Sequence, residues 1–231
     1  MNIGNQIGAN ASDCGEGQKV SDLSEPRSMW RGFLKKYFTD FEDRIFRVKV
    51  FFFFFFFFAA CLGMAQILFP GGYSIRNYYI SEQGSTTQNP IGCWFFIIGV
   101  PLTAILLIPH FLYLKNRLLP ALPPLTYLMT FCALVGCLGF IMVGVFPESI
   151  PEIVWLHDWG ANFAFGGFGF AAFLSLWITG FKAFSKKHTL PKLKWFVLVY
   201  AVVIGVGFGL LIDNNTVSQW FGLFTVLTWM I

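Results

Sequence analysis

The stretch Val48–Pro70 reads VKVFFFFFFFFAACLGMAQILFP and contains eight consecutive phenylalanines, Phe51–Phe58. Successive residues of an α-helix step by about 100°, so a run of this length covers every face of the helix. A helix that is apolar on all sides lies in a protein core or in lipid. From Val50 to Phe69 the stretch has the roughly 20 residues that cross about 30 Å of hydrocarbon. It therefore predicts a transmembrane helix.

The composition of the whole chain also indicates a membrane protein. Of its 231 residues, 56% are hydrophobic and only 12% are charged, whereas soluble domains carry about 25% charged residues. Five further apolar segments follow the phenylalanine run, and we predict an all-α fold: an integral membrane bundle of six transmembrane helices. The predicted spans are residues 50–69, 91–114, 125–146, 159–181, 193–212 and 217–231.

The last apolar segment, residues 217–231, is shorter than the others. About 14 residues are too few to cross the hydrocarbon core unaided. We expect either that the chain continues beyond Ile231 or that this helix is tilted, short or covered by a partner.

The residues before the first span divide into two parts. Residues 1–28 are rich in Gly, Ser, Asn and Asp and contain almost no large apolar side chains, which predicts a disordered tail. In residues 29–48, apolar residues recur at helical spacing with basic residues between them. This pattern predicts an amphipathic helix at the membrane interface, followed by the transmembrane domain, residues 49–231. A membrane-proximal helix that packs on loops of the same protein explains the pattern equally well.

The basic residues are distributed unevenly over the loops. Of the 16 Lys and Arg residues, eight precede the first span, two are Lys115 and Arg117, and five lie between Lys182 and Lys194. Only Arg76 lies in one of the alternate loops. Because cytoplasmic loops carry an excess of Lys and Arg, this alternation predicts six spans with both termini in the cytoplasm.

The predicted spans contain almost no ionisable side chains. Pumps and ion-coupled carriers usually carry intramembrane carboxylates or broken helices with exposed backbone. No Asp, Glu, Lys or Arg lies at a predicted midplane position, which argues against these classes and leaves an uncoupled carrier or channel as a weak alternative. No cofactor is predicted. The net charge of +4 resides mainly in the predicted cytoplasmic loops, and we expect no nucleic-acid partner.

Small residues cluster in the fourth and fifth spans. Gly167 and Ala171 are four residues apart, and so are Gly205 and Gly209. Small residues at this spacing let helix backbones approach closely in membrane bundles. A lipid or cofactor groove beside the glycines is a weaker interpretation, and we predict helix packing at these four positions.

The remaining polar residues gather in the loops that are predicted to face outward. This outer polar cluster comprises Arg76, Asn77, Ser81, Glu82, Asn162 and Asp213, together with the candidate catalytic residues His157, Asp158 and Glu148. A histidine beside carboxylates can perform acid–base chemistry or bind a divalent metal. No second histidine lies nearby in the sequence, so we predict no metal site. The simpler interpretation is a solvated rim, in which Arg76 pairs with Glu82 or Glu148 and His157 caps the fourth helix.

The two interpretations predict different surroundings for His157. Pro147 and Pro151 disfavour helix in the residues ahead of them, so the fourth helix should begin near Leu156–Trp159. A functional site would bring a carboxylate within about 3 Å of a His157 nitrogen, or somewhat further in the absence of ligand. A structural cluster would instead bond His157 to a backbone carbonyl or leave it open to water.

Three short motifs carry a family resemblance. They are NYYISEQG (Asn77–Gly84), GVFPE (Gly144–Glu148) and HDWGANFAFG (His157–Gly166). With six spans, they resemble the DRAM-like membrane proteins (damage-regulated autophagy modulators) and a related, uncharacterised prokaryotic six-helix family. Glu82-Gln83 departs from this pattern, where Asp-Leu is more usual. The resemblance implies roles in lipid remodelling and membrane organisation, and it implies no catalytic residues.

We therefore predict a non-catalytic multi-pass membrane protein that acts as a membrane-complex subunit or lipid-organising protein. Its partners would be membrane lipids and other membrane subunits, which would contact the Phe51–Phe58 surface and the short sixth helix. The alternative is a lipid-modifying enzyme with an outer-leaflet site around His157, and a headgroup-sized pocket under the outer loops would favour it.

Overall fold

The computed structural model describes residues 44–185, 191–212 and 215–230. Within these ranges the chain forms six α-helices, one short 3-10 turn and no strand, which confirms the predicted all-α fold. The helices are α1 (Arg44–Ile67), α2 (Cys93–Leu118), α3 (Pro123–Val145), α4 (Val154–Ser185), α5 (Pro191–Ile212) and α6 (Thr216–Met230), and the 3-10 turn is Ser81–Gly84.

The predicted tail, residues 1–28, and the predicted interfacial helix up to residue 43 lie outside the described residues. Helix α1 begins at Arg44, earlier than the predicted first span, and continues without a break into the phenylalanine run. The last five residues of the predicted interfacial helix, 44–48, are therefore part of the same helix as the first span.

Four helices are each long and apolar enough to cross a membrane, judged by length and composition. These segments are Val48–Ile67, Cys93–Leu118, Pro123–Val145 and Val154–Lys182. The protein is thus an integral membrane bundle. The apolar helical stretch described within α5 is shorter, Val197–Gly207, and α6 has 15 residues. The crossing of the membrane by α5 and α6 stays a prediction.

The phenylalanine run contacts the bundle along only one stripe of α1. Phe54 and Phe58 are buried, at 4% and 3% exposure, because they face α2 and α3. Phe52, Phe53 and Phe56 are 49%, 62% and 65% exposed. The same residue type therefore occupies both the core and the outer surface of one helix.

Helices α3 and α4 share the most extensive contact among the described helices, and glycines make it possible. A side chain at Gly139 of α3 would overlap the backbone of Ala164 and Gly160 in α4. One turn further along, Gly167 of α4 approaches the backbone of Gly136 in the same way. Such small residues let two backbones come into direct contact in lipid.

Gly205 of α5 is exposed, and no described residue lies within contact distance of the place that its side chain would occupy. Helix α5 instead turns Gly207 towards α6, where an added Cβ would lie 2.9 Å from the Thr225 hydroxyl. The surroundings of Gly209 are outside the described part of the chain. Residues two positions apart lie about 200° apart around a helix, so Gly205 and Gly207 face different sides. A packing role for Gly205 and Gly209 stays a prediction.

Aromatic rings form a continuous column through the middle of the bundle. Its ring centroids are 6.1 Å apart for Phe58 and Phe140, 5.1 Å for Phe140 and Phe168, 5.7 Å for Phe168 and Phe111, and 5.8 Å for Phe111 and Trp229. These separations are within the range of favourable aromatic pairs. The column connects α1, α3, α4, α2 and α6, and it fills the core with side chains.

Candidate functional site

A cavity of about 470 Å³ lies beneath the loops that join α1 to α2 and α3 to α4. We call this end of the bundle the His157 face. The polar lining of the cavity comes from Ser81, Glu148, His157, Asp158, Asn162 and Gln219. Its apolar lining includes Phe58, Leu62, Val100, Phe140, Ala164 and Leu223. Because most of the polar residues lie in the loops or in the first turns of α4 and α6, the cavity is polar near the loops and apolar along the helices.

His157 lies in the first turn of α4 and is only 4% exposed. The helix begins at Val154, earlier than the predicted Leu156–Trp159, because consecutive turns from Pro147 to Ile153 lead directly into it. The Nδ1 atom of His157 is 2.8 Å from the carbonyl oxygen of Phe146. Since a carbonyl only accepts hydrogen bonds, Nδ1 carries a proton, and in the neutral form of the ring this leaves Nε2 as the unprotonated nitrogen.

Glu148 approaches this second nitrogen. Its Oε2 atom is 3.8 Å from Nε2 of His157, which is within ion-pair distance but longer than a direct hydrogen bond of about 3 Å. At this separation the two groups interact through their charges and make no direct hydrogen bond. The surroundings of His157 therefore combine features of both predictions, a bond to a backbone carbonyl and a nearby carboxylate.

The environment of Glu148 disfavours its charged form. Burial raises the pKa of the Glu148 carboxyl above its ordinary value, and the negative charges of Glu82 and Asp158 add to the rise. A hydrogen bond from Ser81 and the neighbouring His157 oppose it. Two acidic side chains thus act on Glu148 beside a single histidine, and the burial of Glu148 is the dominant effect.

The loop after α1 is held against α6 by Tyr73. The indole Nε1 of Trp220 donates to the Tyr73 hydroxyl at 3.0 Å, and that hydroxyl in turn donates towards the carbonyls of Tyr78 and Tyr79. The carboxylate of Glu82 accepts the backbone N–H of Tyr79. These bonds fix the 3-10 turn and place Ser81 at the cavity.

Asn89 connects the two ends of the same loop. Its Nδ2 donates to the carbonyls of Ala65 and Gln83, both at 2.9 Å, and its Oδ1 accepts the N–H of Gly92 at 3.1 Å. The side chain is fully buried. Ala65 lies in the last turn of α1, where backbone carbonyls have no hydrogen-bond partner within the helix. Asn89 therefore supplies the hydrogen bond that the buried carbonyl of Ala65 would otherwise lack.

The predicted site residues separate into two groups. Those that line the cavity are His157, Asp158, Glu148, Ser81 and Asn162. Arg76 and Asn77 are exposed and do not line it, Glu82 is bonded to its own turn, and Asp213 lies outside the described residues. Arg76 forms no ion pair with Glu82 or Glu148, so the predicted pairing was wrong. The reason is that the turn directs Arg76 to the surface, where its backbone carbonyl accepts from Thr216.

Sequence reasoning did not single out Tyr73, Asn89 or Trp220. Asn89 precedes Pro90 just before a span, and an asparagine in such a turn often bonds the neighbouring backbone. That signal was available. The bond between Tyr73 and Trp220 joins residues 147 positions apart, so no local pattern could reveal it. Within the described residues, no group of three His, Cys, Asp or Glu side chains is arranged to hold a metal ion.

A comparison with known families gives one match for this chain. The family described as the Frag1/DRAM/Sfk1/Cwh43P N-terminal domain matches residues 43–231, which is well over half of the chain. The chain belongs to this family. The match supports the resemblance to DRAM-like membrane proteins, and the relation to the prokaryotic six-helix family stays a prediction. No curated protein and no solved structure gives a match.

Proposed function

We propose that this DRAM-like protein binds a membrane lipid in the cavity of the His157 face and organises lipids without changing them chemically. The observation that carries the proposal is the division of the cavity lining into a polar end and an apolar end. A lipid has the same division, between its headgroup and its chains. The volume of about 470 Å³ also falls within the range of small-molecule sites.

The apolar end of the cavity suits an alkyl chain rather than water. Phe58, Leu62 and Leu223 present carbon surface there, and an apolar cavity offers water too few hydrogen-bond partners. At the polar end, the side chains of Asn162 and Gln219 form no hydrogen bond to another described side chain or backbone group, so they are available to a headgroup. The resemblance to proteins involved in membrane organisation points in the same direction.

The test is to fill the cavity. The protein is placed in bilayers that contain a trace of monoacylglycerol with a photoactivatable group in its chain, and covalent labelling is measured after illumination. Ala161 lines the cavity, so Ala161→Trp should reduce labelling roughly fivefold or more, which corresponds to about 1 kcal/mol of binding free energy. The matched control is Ala60→Trp, on the exposed side of α1, which should label as the parent does. Equal labelling of both variants would refute the proposal.

A lipid-modifying enzyme is the second candidate, and the tautomer of His157 favours it. The Phe146 carbonyl holds the ring so that the basic Nε2 lies beside Glu148, an arrangement that can pass a proton to or from a bound group. The variant His157→Gln distinguishes the candidates. An enzyme would lose the conversion of radiolabelled lipid in reconstituted membranes while still binding the photoactivatable lipid. A lipid-organising protein should show no conversion in either form.

The proposed topology has six crossings and both termini in the cytoplasm. Gln88 is exposed in the loop before α2, and Asn116 is exposed near the other end of that helix. In a chain whose native cysteines are replaced by alanine, an impermeant thiol reagent should label Gln88→Cys from outside the cell but not Asn116→Cys. The opposite pattern would overturn the orientation.

The proposal also includes a surface for partners. The exposed stripe of Phe52, Phe53 and Phe56, with α6, is where lipids or other membrane subunits would contact the bundle.

An uncoupled carrier or channel has less support, because the aromatic column occupies the space between the cavity and the opposite end of the described bundle.

A further inference from the structure

The charges around the cavity have mostly one sign. Glu148 and Asp158 are part of its lining, and Glu82 is close enough to affect Glu148. Among the lining residues described here, the single histidine His157 is the only side chain that can become positive. Arg76, the one basic residue of the loop between α1 and α2, is exposed and is not part of the lining.

These acids are not compensated by basic side chains within the described part of the chain. The one ion pair there is the 3.8 Å contact between Glu148 and His157, and the ring in this contact is neutral unless Nε2 is also protonated. Asp158, one residue further along α4, forms no ion pair. Glu148 is half-buried, and a partly buried carboxylate without a cation is costly, so the cost falls when a cation is brought beside it. The exposed Asp158 adds a second negative charge to the lining.

A bound ligand could supply that cation. An ammonium group at the polar end would lie between Glu148 and Asp158, while its alkyl chain would follow the apolar lining. Phe165 is also part of the cavity wall, and an aromatic ring can stabilise a cation that lies over its face. An anionic headgroup would meet two carboxylates and no lysine or arginine from the described lining.

We propose that the cavity selects amphiphiles with a positively charged ammonium head, which Glu148 and Asp158 recognise. This inference rests on the proposed lipid site and adds the class of headgroup. Two sources share the chemistry: a simple long-chain amine, and the amine-bearing end of a zwitterionic phospholipid.

The experiment compares headgroups on one chain. Three photoactivatable probes with the same alkyl chain carry an ammonium, a hydroxyl or a sulfate head, and each is present as a trace in bilayers of an uncharged galactolipid. Labelling should be strongest for the ammonium probe, by roughly tenfold over the hydroxyl probe, and weakest for the sulfate probe. A photoactivatable phosphatidylethanolamine is the fourth arm. If the phosphatidylethanolamine probe labels the protein, the cavity also accepts the amine of a phospholipid. If this probe does not label it, the ligand is a simple long-chain amine.

The double variant Glu148→Gln, Asp158→Asn removes both charges and keeps similar shapes. The ammonium and hydroxyl probes should label this variant equally, because the carboxylates that favour the ammonium head are no longer there. The control Glu152→Gln changes an exposed acid that is not part of the lining and should keep the preference. If the double variant does not fold, the single change Asp158→Asn should still reduce the preference, since Asp158 is exposed and has no partner to lose.

Two results would overturn the inference: hydroxyl labelling equal to or above ammonium labelling in the parent, or a preference that persists in the double variant. Either could occur while the hydroxyl probe is still blocked by Ala161→Trp, and the proposed lipid site would then stand without its headgroup selectivity. If Ala161→Trp blocks none of the probes, the lipid site itself is refuted.

Discussion

Two helix surfaces of this bundle, the outer stripe of α1 and the interface of α3 with α4, show how differently a membrane protein constrains its residues. On α1, Phe52, Phe53 and Phe56 face outward and need only be apolar. At the α3–α4 interface, Gly139 must lack a side chain because the backbone of α4 occupies that space. Lipid accepts any apolar shape, whereas a close backbone contact accepts a single residue type.

The largest effect is expected at the helix interface. Gly139→Ala places a Cβ against the backbone of Ala164 and should destabilise the protein by about 3 kcal/mol, because neither backbone can move aside cheaply. The measurement is the free energy of unfolding in mixed micelles by titration with dodecyl sulfate. Gly166→Ala is the matched control, since Gly166 has open space around it, and it should be neutral or slightly stabilising. A similar loss in both variants would refute the close contact.

The second-largest effect on the free energy of unfolding is expected at Phe54, and its neighbour Phe53 should differ from it. Phe54 is 4% exposed and Phe53 is 62% exposed. Phe54→Ala should cost about 3 kcal/mol, since it leaves a void among packed side chains. Phe53→Ala should cost about 0.5 kcal/mol or less in the same titration. Equal losses would mean that the run is covered by a partner or contributes to stability only through its hydrophobicity.

A smaller loss is expected in the loop that encloses the cavity. Asn89→Ala removes three hydrogen bonds and leaves the Ala65 and Gln83 carbonyls without their donor, so it should cost about 2 kcal/mol. Hydrogen exchange should also increase in residues 81–92 relative to α3. The control Gln88→Ala changes an exposed side chain in the same loop. Unchanged exchange in the Asn89 variant would show that the loop is held by other contacts.

The smallest effect is expected where lipid is the only neighbour. Replacing Phe52, Phe53 and Phe56 together by leucine should change the free energy of unfolding by about 0.5 kcal/mol or less, because both residue types insert favourably. Loss of the folded protein, or of a co-purifying partner, would show that the aromatic shapes form a specific contact. In that case the outer stripe of α1 would restrict its residue types as the interface of α3 with α4 does.

Much of the fold could be predicted from the sequence because membrane insertion depends on long-range averages of hydrophobicity. The six described helices overlap the predicted spans, and α1 and α4 begin clearly earlier, at Arg44 and Val154. The start of α4 was placed too late, since the proline-containing turns lead into the helix instead of delaying it. The contact of Gly207 with Thr225 was not predicted, because spacing within one helix does not identify the face that meets a neighbour.

The candidate site could be anticipated only as a set of residue types at one end of the bundle. The sequence placed His157, Glu148 and Asp158 at the same membrane level, and the order of spans was sufficient for that. It could not supply the bond from His157 to Phe146 or the exclusion of Arg76 from the cavity. Those depend on the exact path of two loops, which distant contacts such as Tyr73 with Trp220 determine.

By itself, the sequence determined that this is a membrane protein, that it is helical and roughly where its described helices lie. The reason is that hydrocarbon excludes charge and requires every backbone group to bond within a helix. Only the tertiary structure decided which phenylalanines are core, which glycines carry a contact and that a cavity exists at all. A cavity is the space that several helices leave between them, so it depends on their relative placement and is encoded in no single segment.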